Sequence, residues 1–242
     1  MNKKLYPAWF FTNERLNKFL IGLKNLQIKK VFAVGGSGDF AFNLLSLLKI
    51  KKIDLCDIRP TANLTINFKK CLFKKNSFKK ALKILSNLNC LKKTGLWYKY
   101  SFKQIKHKKD HLLYLTSENR YRLLQKQINK INIHSGEFID NLKFFPDNYY
   151  DLIYISNILD SKKYNKNNYL CLKTIRQKLN KDGFLLVVSQ NAHKKIINLA
   201  KTFEFRIHNK EIHRFNIFSS FLGHYSFSFL LFKKRKAPNA VA

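Results

Sequence analysis

Short apolar runs alternate with stretches of helical periodicity along most of the chain. Runs of four to six largely apolar residues, bounded by turn-forming residues, are typical of buried strands. Five such strands are predicted, at 30–34, 53–58, 131–134, 150–155 and 184–189. Apolar residues spaced three and four apart predict helices between them, at 39–48, over most of 61–130, at 169–179 and at about 192–202.

The order of these elements predicts an α/β fold. Strands separated by helices are joined by right-handed crossovers, which give a mainly parallel sheet with helices on both faces. Two further strand-like runs, 205–212 and 225–233, are joined by 213–224 without a helix. A direct connection is what an antiparallel pair requires. We therefore predict a Rossmann-like, doubly wound sheet of seven strands whose last strand is antiparallel.

The length of the chain favours a single domain. Its 242 residues can be built around one hydrophobic core without metal or disulfide cross-links. We predict one domain over 1–235, in which 61–130 is a helical insertion or cap. A disordered tail is predicted at 236–242.

A glycine cluster follows the first strand and precedes the next helix. Gly36, Ser37 and Gly38 are small enough to let backbone N–H groups approach a ligand closely. Asp57 ends the second strand, about twenty residues further on, where a carboxylate can accept hydrogen bonds from both hydroxyls of a ribose. Together these residues predict a nucleoside site. The alternative is a tight turn followed by an ordinary acid that caps a helix.

Two more strand ends carry polar residues. After the third strand, Glu137 is predicted to accept a hydrogen bond from the amine of an adenine, with Phe138 packing on the ring. The alternative for Glu137 is a solvated turn acid. Ser156 and Asn157 end the fourth strand, at the edge where open α/β sheets bind ligands. We predict that these two residues border the reacting centre.

The charge of the chain is strongly basic. It has 47 Lys and Arg against 14 Asp and Glu, a formal net charge of +33, and nearly all of the basic residues are Lys. Either this charge attracts nucleic acid or an anionic membrane surface, or it reflects a codon bias that only decorates the surface. The Cys and His residues lack metal-ligand spacing, so no metal site is predicted. The longest apolar runs are much shorter than the roughly 20 residues of a membrane span. We expect a cytoplasmic protein, with peripheral attachment to a membrane as a second location.

Four short segments carry a resemblance to a known family. They are VGGSGD at 34–39, FTNE at 11–14, DIRP at 57–60 and DLIYISNI at 151–158. These segments resemble the bacterial betaine-lipid 3-amino-3-carboxypropyltransferases and their uncharacterised relatives, within the class I S-adenosylmethionine-dependent methyltransferase-like superfamily. Class I methyltransferases usually carry an acid two residues before the first glycine of this loop, whereas that position here is Ala33 or Val34. Arg59 stands where the resembling motif usually has Asn.

The resemblance implies a fold of the class I methyltransferase type and an S-adenosylmethionine-dependent transferase. The group moved would be 3-amino-3-carboxypropyl or methyl, and the acceptor a small molecule or a lipid. Tyr6, Glu14, Tyr154 and Asp160 are candidates for orienting the acceptor or accepting a proton. The implied cofactor residues are Gly35, Gly36, Ser37, Gly38, Asp39, Asp57, Glu137, Phe138, Ser156 and Asn157.

Two alternatives stay open on the same fold. The first is an RNA methyltransferase, in which the Lys-rich helices between 65 and 110 would contact phosphates. The second is a non-catalytic basic module that binds RNA.

Overall fold

A computed structural model of the protein describes residues 17–87, 112–159, 168–189, 193–215 and 225–234. Part of the helical region predicted at 61–130 and the tail predicted at 236–242 lie outside these ranges. Within them, no helix combines the length and the apolar character needed to cross a membrane.

Seven strands form the sheet. They are β1 Lys30–Val34, β2 Lys52–Asp57, β3 Ile131–Ser135, β4 Tyr150–Ser156, β5 Leu179–Ser189, β6 Phe205–Phe215 and β7 Tyr225–Lys234. Their order is β3-β2-β1-β4-β5-β7-β6. β4 pairs in parallel with β1 and β5, and β2 pairs in parallel with β3, whereas β7 is antiparallel to both β5 and β6. The predicted doubly wound sheet with an antiparallel last strand is therefore confirmed.

Helices connect most of these strands. In the described ranges they are α1 Asn17–Gly22, α2 Asp39–Leu45, α3 Pro60–Lys75, α4 Phe78–Asn87, α5 Glu118–Gln127, α6 Phe138–Lys143, α7 Asn168–Lys178 and α8 His193–Thr202. A 3₁₀ turn at Leu113–Leu115 precedes α5. The described parts of 61–130 are thus largely helical. That this region is an insertion or cap stays a prediction.

The residues group into two compact units. Among the described residues, the first unit holds β2, β3, the helices α1 to α5 and the loop between β1 and α2. The second unit holds β1, β4 to β7, α7, α8 and most of α6.

The fifth strand begins earlier than the sequence pattern indicates. We predicted a helix at 169–179, stopped by the turn residues 181–183, and a strand from 184, but β5 already begins at Leu179. Leu179 lies opposite Tyr150 and Phe184 lies opposite Leu152, so the intervening residues of β5 form an irregularity in the ladder. Gly183 fits there because a Cβ atom would lie 3.1 Å from the carbonyl oxygen of Tyr150. The turn residues mark a bulge rather than a helix stop.

A cluster of aromatic rings forms the core of the first unit. The ring of Phe73 on α3 lies 5.3 Å from Phe42 on α2, 5.2 Å from Tyr114 and 5.8 Å from Tyr121 on α5, measured between centroids. All four side chains are buried. Tilted and edge-to-face pairs at these distances add to the stabilisation from burial. The cluster therefore holds α2, and with it the glycine cluster before α2, against α3 and α5.

Candidate functional site

The glycine cluster forms a tight turn between β1 and α2. The N–H of Gly35 donates to the carbonyl oxygen of Cys56 at 2.8 Å, and the N–H of Gly38 donates to the carbonyl oxygen of Gly35 at 2.8 Å. Gly36 has a φ of 50° and Gly38 a φ of 78°, a region that favours glycine. A Cβ atom on Gly35 would lie 3.0 Å from the Cβ atom of Asp57. This close approach explains why the cluster needs glycine beside the end of β2.

Asp57 joins the glycine cluster to the end of β3. Its Oδ2 atom accepts a hydrogen bond from the N–H of Gly36 at 2.8 Å. Its carbonyl oxygen accepts from the N–H of Gly136 at 3.2 Å. Three predicted site segments, at 35–39, at Asp57 and at 136–138, are therefore brought together in the first unit.

Arg59 covers the carboxylate of Asp57. The backbone N–H and Nε of Arg59 donate to Oδ1 at 2.9 and 3.0 Å, and Nη2 donates to Oδ2 at 3.1 Å. The side chain of Asp57 is 4% exposed and that of Arg59 is 33% exposed. We predicted no role for Arg59, although a base two residues after an acid was the signal available. The hydrogen bond to Asp57 raises the pKa of Arg59, so the guanidinium stays charged.

Asp39, a predicted cofactor residue, takes part in a buried network of side chains, and its contact with a cofactor stays a prediction. Its side chain and that of Lys69 are both 0% exposed, and Lys69 Nζ lies 2.8 Å from Asp39 Oδ1. The hydroxyl groups of Tyr114 and Ser37 donate to the carboxylate at 2.7 and 2.9 Å, and Lys69 also donates to the carbonyl oxygen of Ser37 at 3.0 Å. Burial and the nearby carboxylate raise the pKa of Tyr114 well above its ordinary value, so this hydroxyl remains a donor. We therefore assign Asp39 and Ser37 to holding the glycine cluster in place.

The end of β3 adds a residue that we did not predict. Asn63 on α3 donates from Nδ2 to the hydroxyl of Ser135 at 2.8 Å. Its Oδ1 atom is buried and, in the described part of the chain, has no hydrogen-bond partner. Such an atom is costly unless something donates to it. Two and three residues after Ser135, Glu137 is half-buried and Phe138 is buried.

The predicted residues on β4 belong to the second unit. Ser156 ends β4, and the N–H of Asn157 donates to the carbonyl oxygen of Val188 at 2.9 Å. Asn157 has a φ of 55°, and within the described residues its buried Oδ1 atom lacks a partner. Asn tolerates positive φ better than most residues, so this conformation suits the turn that follows β4. Ser156 and Asn157 stay predicted cofactor residues.

Of the candidates for acid–base chemistry, the structure describes only Tyr154. Tyr154 is 3% exposed and lies opposite Ala33 and Leu186 in the sheet, so it is a buried residue here, and its role toward an acceptor stays a prediction. Tyr6, Glu14 and Asp160 lie outside the described residues.

In the ranges that the structure covers, no group of three His, Cys, Asp or Glu side chains is arranged to hold a metal ion.

We expect Cys56 to resist alkylation in the folded protein. Burial, together with the charges of Asp57 and Glu137, raises the pKa of its thiol to about 12, and only a thiolate reacts readily. Labelling with N-ethylmaleimide followed by peptide mass mapping measures this. Cys71 is exposed and is the internal reference. Modification of Cys56 as fast as Cys71 would contradict the burial of this site.

Comparisons with known proteins show the fold. No known family model matches the chain, and no curated protein matches it. Precorrin-6y C5,15-methyltransferase from Geobacter metallireducens GS-15 has a TM-score of 0.54 at 9% identity, over 97% of this chain and 95% of that one. The N-methyltransferase NodS from Bradyrhizobium japonicum WM9, in complex with S-adenosylhomocysteine, has a TM-score of 0.53 at 12% identity, over 96% and 91%. A SAM-dependent methyltransferase from Methanosarcina mazei has a TM-score of 0.51 at 13% identity, over 90% and 98%.

This chain has the class I methyltransferase fold. The likeness extends over nearly the whole length of each protein, and the strand order with its antiparallel β7 agrees with it. At these identities the comparison shows the fold alone. The similarity to the betaine-lipid enzymes remains a resemblance of short motifs.

In an open sheet of the class I methyltransferase type, ligands bind beyond the carboxyl ends of the strands. The glycine cluster follows the carboxyl end of β1, Asp57 is the last residue of β2, and Gly136 follows β3. Gly35, Asp57 and Gly136 therefore end or directly follow their strands on the carboxyl side, and the binding of a ligand there stays a prediction.

Proposed function

We propose that the protein is an S-adenosylmethionine-dependent transferase. The observation that carries the proposal is the hydrogen bond between Asp57 Oδ2 and the N–H of Gly36 at 2.8 Å. This bond connects the glycine loop, where a ligand can approach the backbone, with Asp57, the acid that we predict to bind ribose. The fold of the chain supports the same class of reaction.

The residues at this site are compatible with a nucleoside. In the described structure, a Cβ atom built on Gly36 would have no neighbour within 4 Å, so the outer side of the loop is open. Ile58 directly follows Asp57 and is 58% exposed, an apolar surface that a base could cover. The Oδ1 atom of Asn63 is an acceptor that still lacks a donor among the described residues, as an adenine amine would provide.

The chemistry requires little acid–base catalysis from the protein. S-adenosylmethionine supplies a sulfonium group whose neighbouring carbons are open to in-line attack. The protein binds and orients the two reactants, which alone lowers the barrier substantially. A base is needed only where the acceptor is a hydroxyl. This proposal is consistent with the burial of Tyr154 and of the protonated Cys56 thiol.

The group transferred defines the finer part of the proposal. The SGD sequence at 37–39 and the missing acid at Ala33 or Val34 favour a 3-amino-3-carboxypropyl group over methyl, with a small molecule or lipid as acceptor. Attack on the methylene carbon breaks its bond to sulfur and leaves methylthioadenosine. Attack on the methyl carbon leaves S-adenosylhomocysteine. Chromatography of the nucleoside products, after incubation with total lipid or with RNA extract, therefore distinguishes the two reactions.

An anionic partner is the second part of this proposal. Lys74, Lys75, Lys79, Lys80 and Lys83 are all exposed, at the end of α3 and along α4. Such a surface favours association with anionic lipid or RNA, and the binding should weaken steeply as salt concentration rises. Product formation that depends on vesicles supports a lipid acceptor, whereas formation that depends on RNA supports the RNA methyltransferase alternative.

Replacing Asp57 with Ala is expected to weaken the binding of S-adenosylhomocysteine by about 1.5–3 kcal/mol, because charge-assisted hydrogen bonds to ribose are lost. Isothermal titration calorimetry measures the affinity. Asp140→Ala, which removes an exposed acid on α6, is the matched control and should bind as the wild type does. Circular dichroism and thermal unfolding verify that the Asp57 variant is folded. Unchanged affinity in a folded Asp57→Ala protein would remove this residue from the site.

A further inference from the structure

The carboxylate of Asp57 already has a full set of donors. It accepts hydrogen bonds from the backbone N–H groups of Gly36 and Arg59 and from Nε and Nη2 of the Arg59 side chain. An ionised carboxylate offers about four lone-pair sites. A ribose that used Asp57 would bring two further donors, its 2′ and 3′ hydroxyl groups. The carboxylate cannot accept these donors and keep the present four.

The guanidinium and a ribose would use the same two acceptor positions. Nε binds one carboxylate oxygen and Nη2 binds the other, which is the bidentate arrangement typical of arginine. A vicinal diol also presents two donors to the two oxygens of a carboxylate. One occupant therefore excludes the other.

We propose that Arg59 occupies the ribose position of the nucleoside site and must leave Asp57 before a nucleoside binds. The inference rests on the proposed function, because it assigns a regulating residue to that same site. Arg59 then sets the affinity for the cofactor by competing with its ribose.

The surrounding structure allows this exchange. The side chain of Arg59 is one-third exposed, so it can rotate outward without entering the core. Two of the four hydrogen bonds, from the backbone N–H groups of Gly36 and Arg59, do not involve the guanidinium. They hold the carboxylate in place and leave one free position on each oxygen. The backbone of Arg59 is fixed independently, because its carbonyl oxygen accepts from the N–H of Ala62 in the first turn of α3.

The competition predicts an effect that depends on the diol. Replacing Arg59 with Ala should tighten the binding of adenosine by about two- to fivefold, the range expected for losing a partly exposed bidentate ion pair. It should leave the binding of 2′,3′-dideoxyadenosine unchanged, since that ligand lacks the hydroxyl groups that compete for Asp57. Arg59→Lys keeps the charge but loses the fork, and should fall between the wild type and Arg59→Ala.

Ligand-detected NMR titration of the full chain with both nucleosides measures these affinities. Arg122→Ala, which breaks an exposed ion pair with Glu118 on α5, removes the same charge elsewhere and should change neither affinity. A gain in affinity for adenosine alone supports the proposal. An Arg59→Ala protein that binds adenosine no better, or that binds both nucleosides equally better, overturns it.

The same titrations separate this inference from the proposed function. Suppose that S-adenosylhomocysteine binds and that Asp57→Ala lowers its affinity, while Arg59→Ala changes the affinities for the two nucleosides equally or not at all. Then only the inference that Arg59 competes with the ribose is wrong. If folded wild type and folded Arg59→Ala bind neither S-adenosylhomocysteine nor adenosine, both the inference and the proposed function are wrong.

Discussion

Replacing Lys69 with Met is expected to lower the free energy of unfolding by about 3–5 kcal/mol, because it leaves the carboxylate of Asp39 buried without its cation. The two side chains are fully buried, and their charged atoms lie 2.8 Å apart. Met has nearly the length of the Lys stem, so it fills most of the same buried volume. The loss therefore reports the charge of Lys69 rather than a cavity.

Urea unfolding followed by circular dichroism measures the effect. Lys74→Met, an exposed position near the end of the same helix, should change the stability by less than about 0.5 kcal/mol. Adding Asp39→Asn to Lys69→Met removes the unpaired charge and should restore part of the lost stability. A Lys69→Met protein as stable as Lys74→Met would contradict the buried ion pair.

The ion pair connects the stability of the protein to the candidate site. Lys69 also donates to the carbonyl oxygen of Ser37, and Asp39 accepts from the hydroxyl of Ser37. These bonds hold the glycine cluster at Ser37, while the carboxylate of Asp57 holds it at the N–H of Gly36. We therefore expect a folded Lys69→Met protein to bind nucleosides more weakly as well.

The sheet could be predicted from the sequence because its signals are local. A buried parallel strand is a short apolar run, and its ends follow from turn residues. β1 has the predicted bounds, β3 and β4 each extend one residue further, and β2 begins and ends one residue earlier than predicted. β5 differs more, because the residues at 181–183 that we interpreted as a helix stop form an irregularity inside the strand. Turn chemistry alone does not distinguish these two structures.

The site could be predicted only in part, because its side-chain partners are far apart in sequence. The glycine cluster and Asp57 follow from the position of strand ends. Lys69 and Tyr114, however, reach Asp39 across 30 and 75 residues, and no spacing rule connects them. For this reason we did not predict the buried network around Asp39. The pairing of Arg59 with Asp57 is local in sequence, but the rotamer of a long side chain after a strand cannot be predicted from the sequence.

Replacing Gly38 with Ala is expected to destabilise the protein by about 2–4 kcal/mol, through backbone strain and overpacking together. Gly38 has a φ of 78°, which costs an L-residue about 1–2 kcal/mol. A Cβ atom there would also lie 2.9 Å from a ring carbon of Phe42 and 3.0 Å from Ile66. Both neighbours are fully buried, so they cannot move aside without disturbing the aromatic cluster around Phe73.

Gly36 is the matched control for this substitution. It also has a positive φ, of 50°, but a Cβ atom built on it would contact nothing within 4 Å in the described structure. Gly36→Ala therefore adds strain without overpacking and should cost about 1–2 kcal/mol. Urea unfolding of the two variants isolates the contribution of the contact with Phe42 as the difference between them. An equal loss of unfolding free energy in the two proteins would mean that Phe42 and Ile66 move to accommodate the new Cβ atom. The packing behind the glycine cluster would then be looser than its buried contacts indicate.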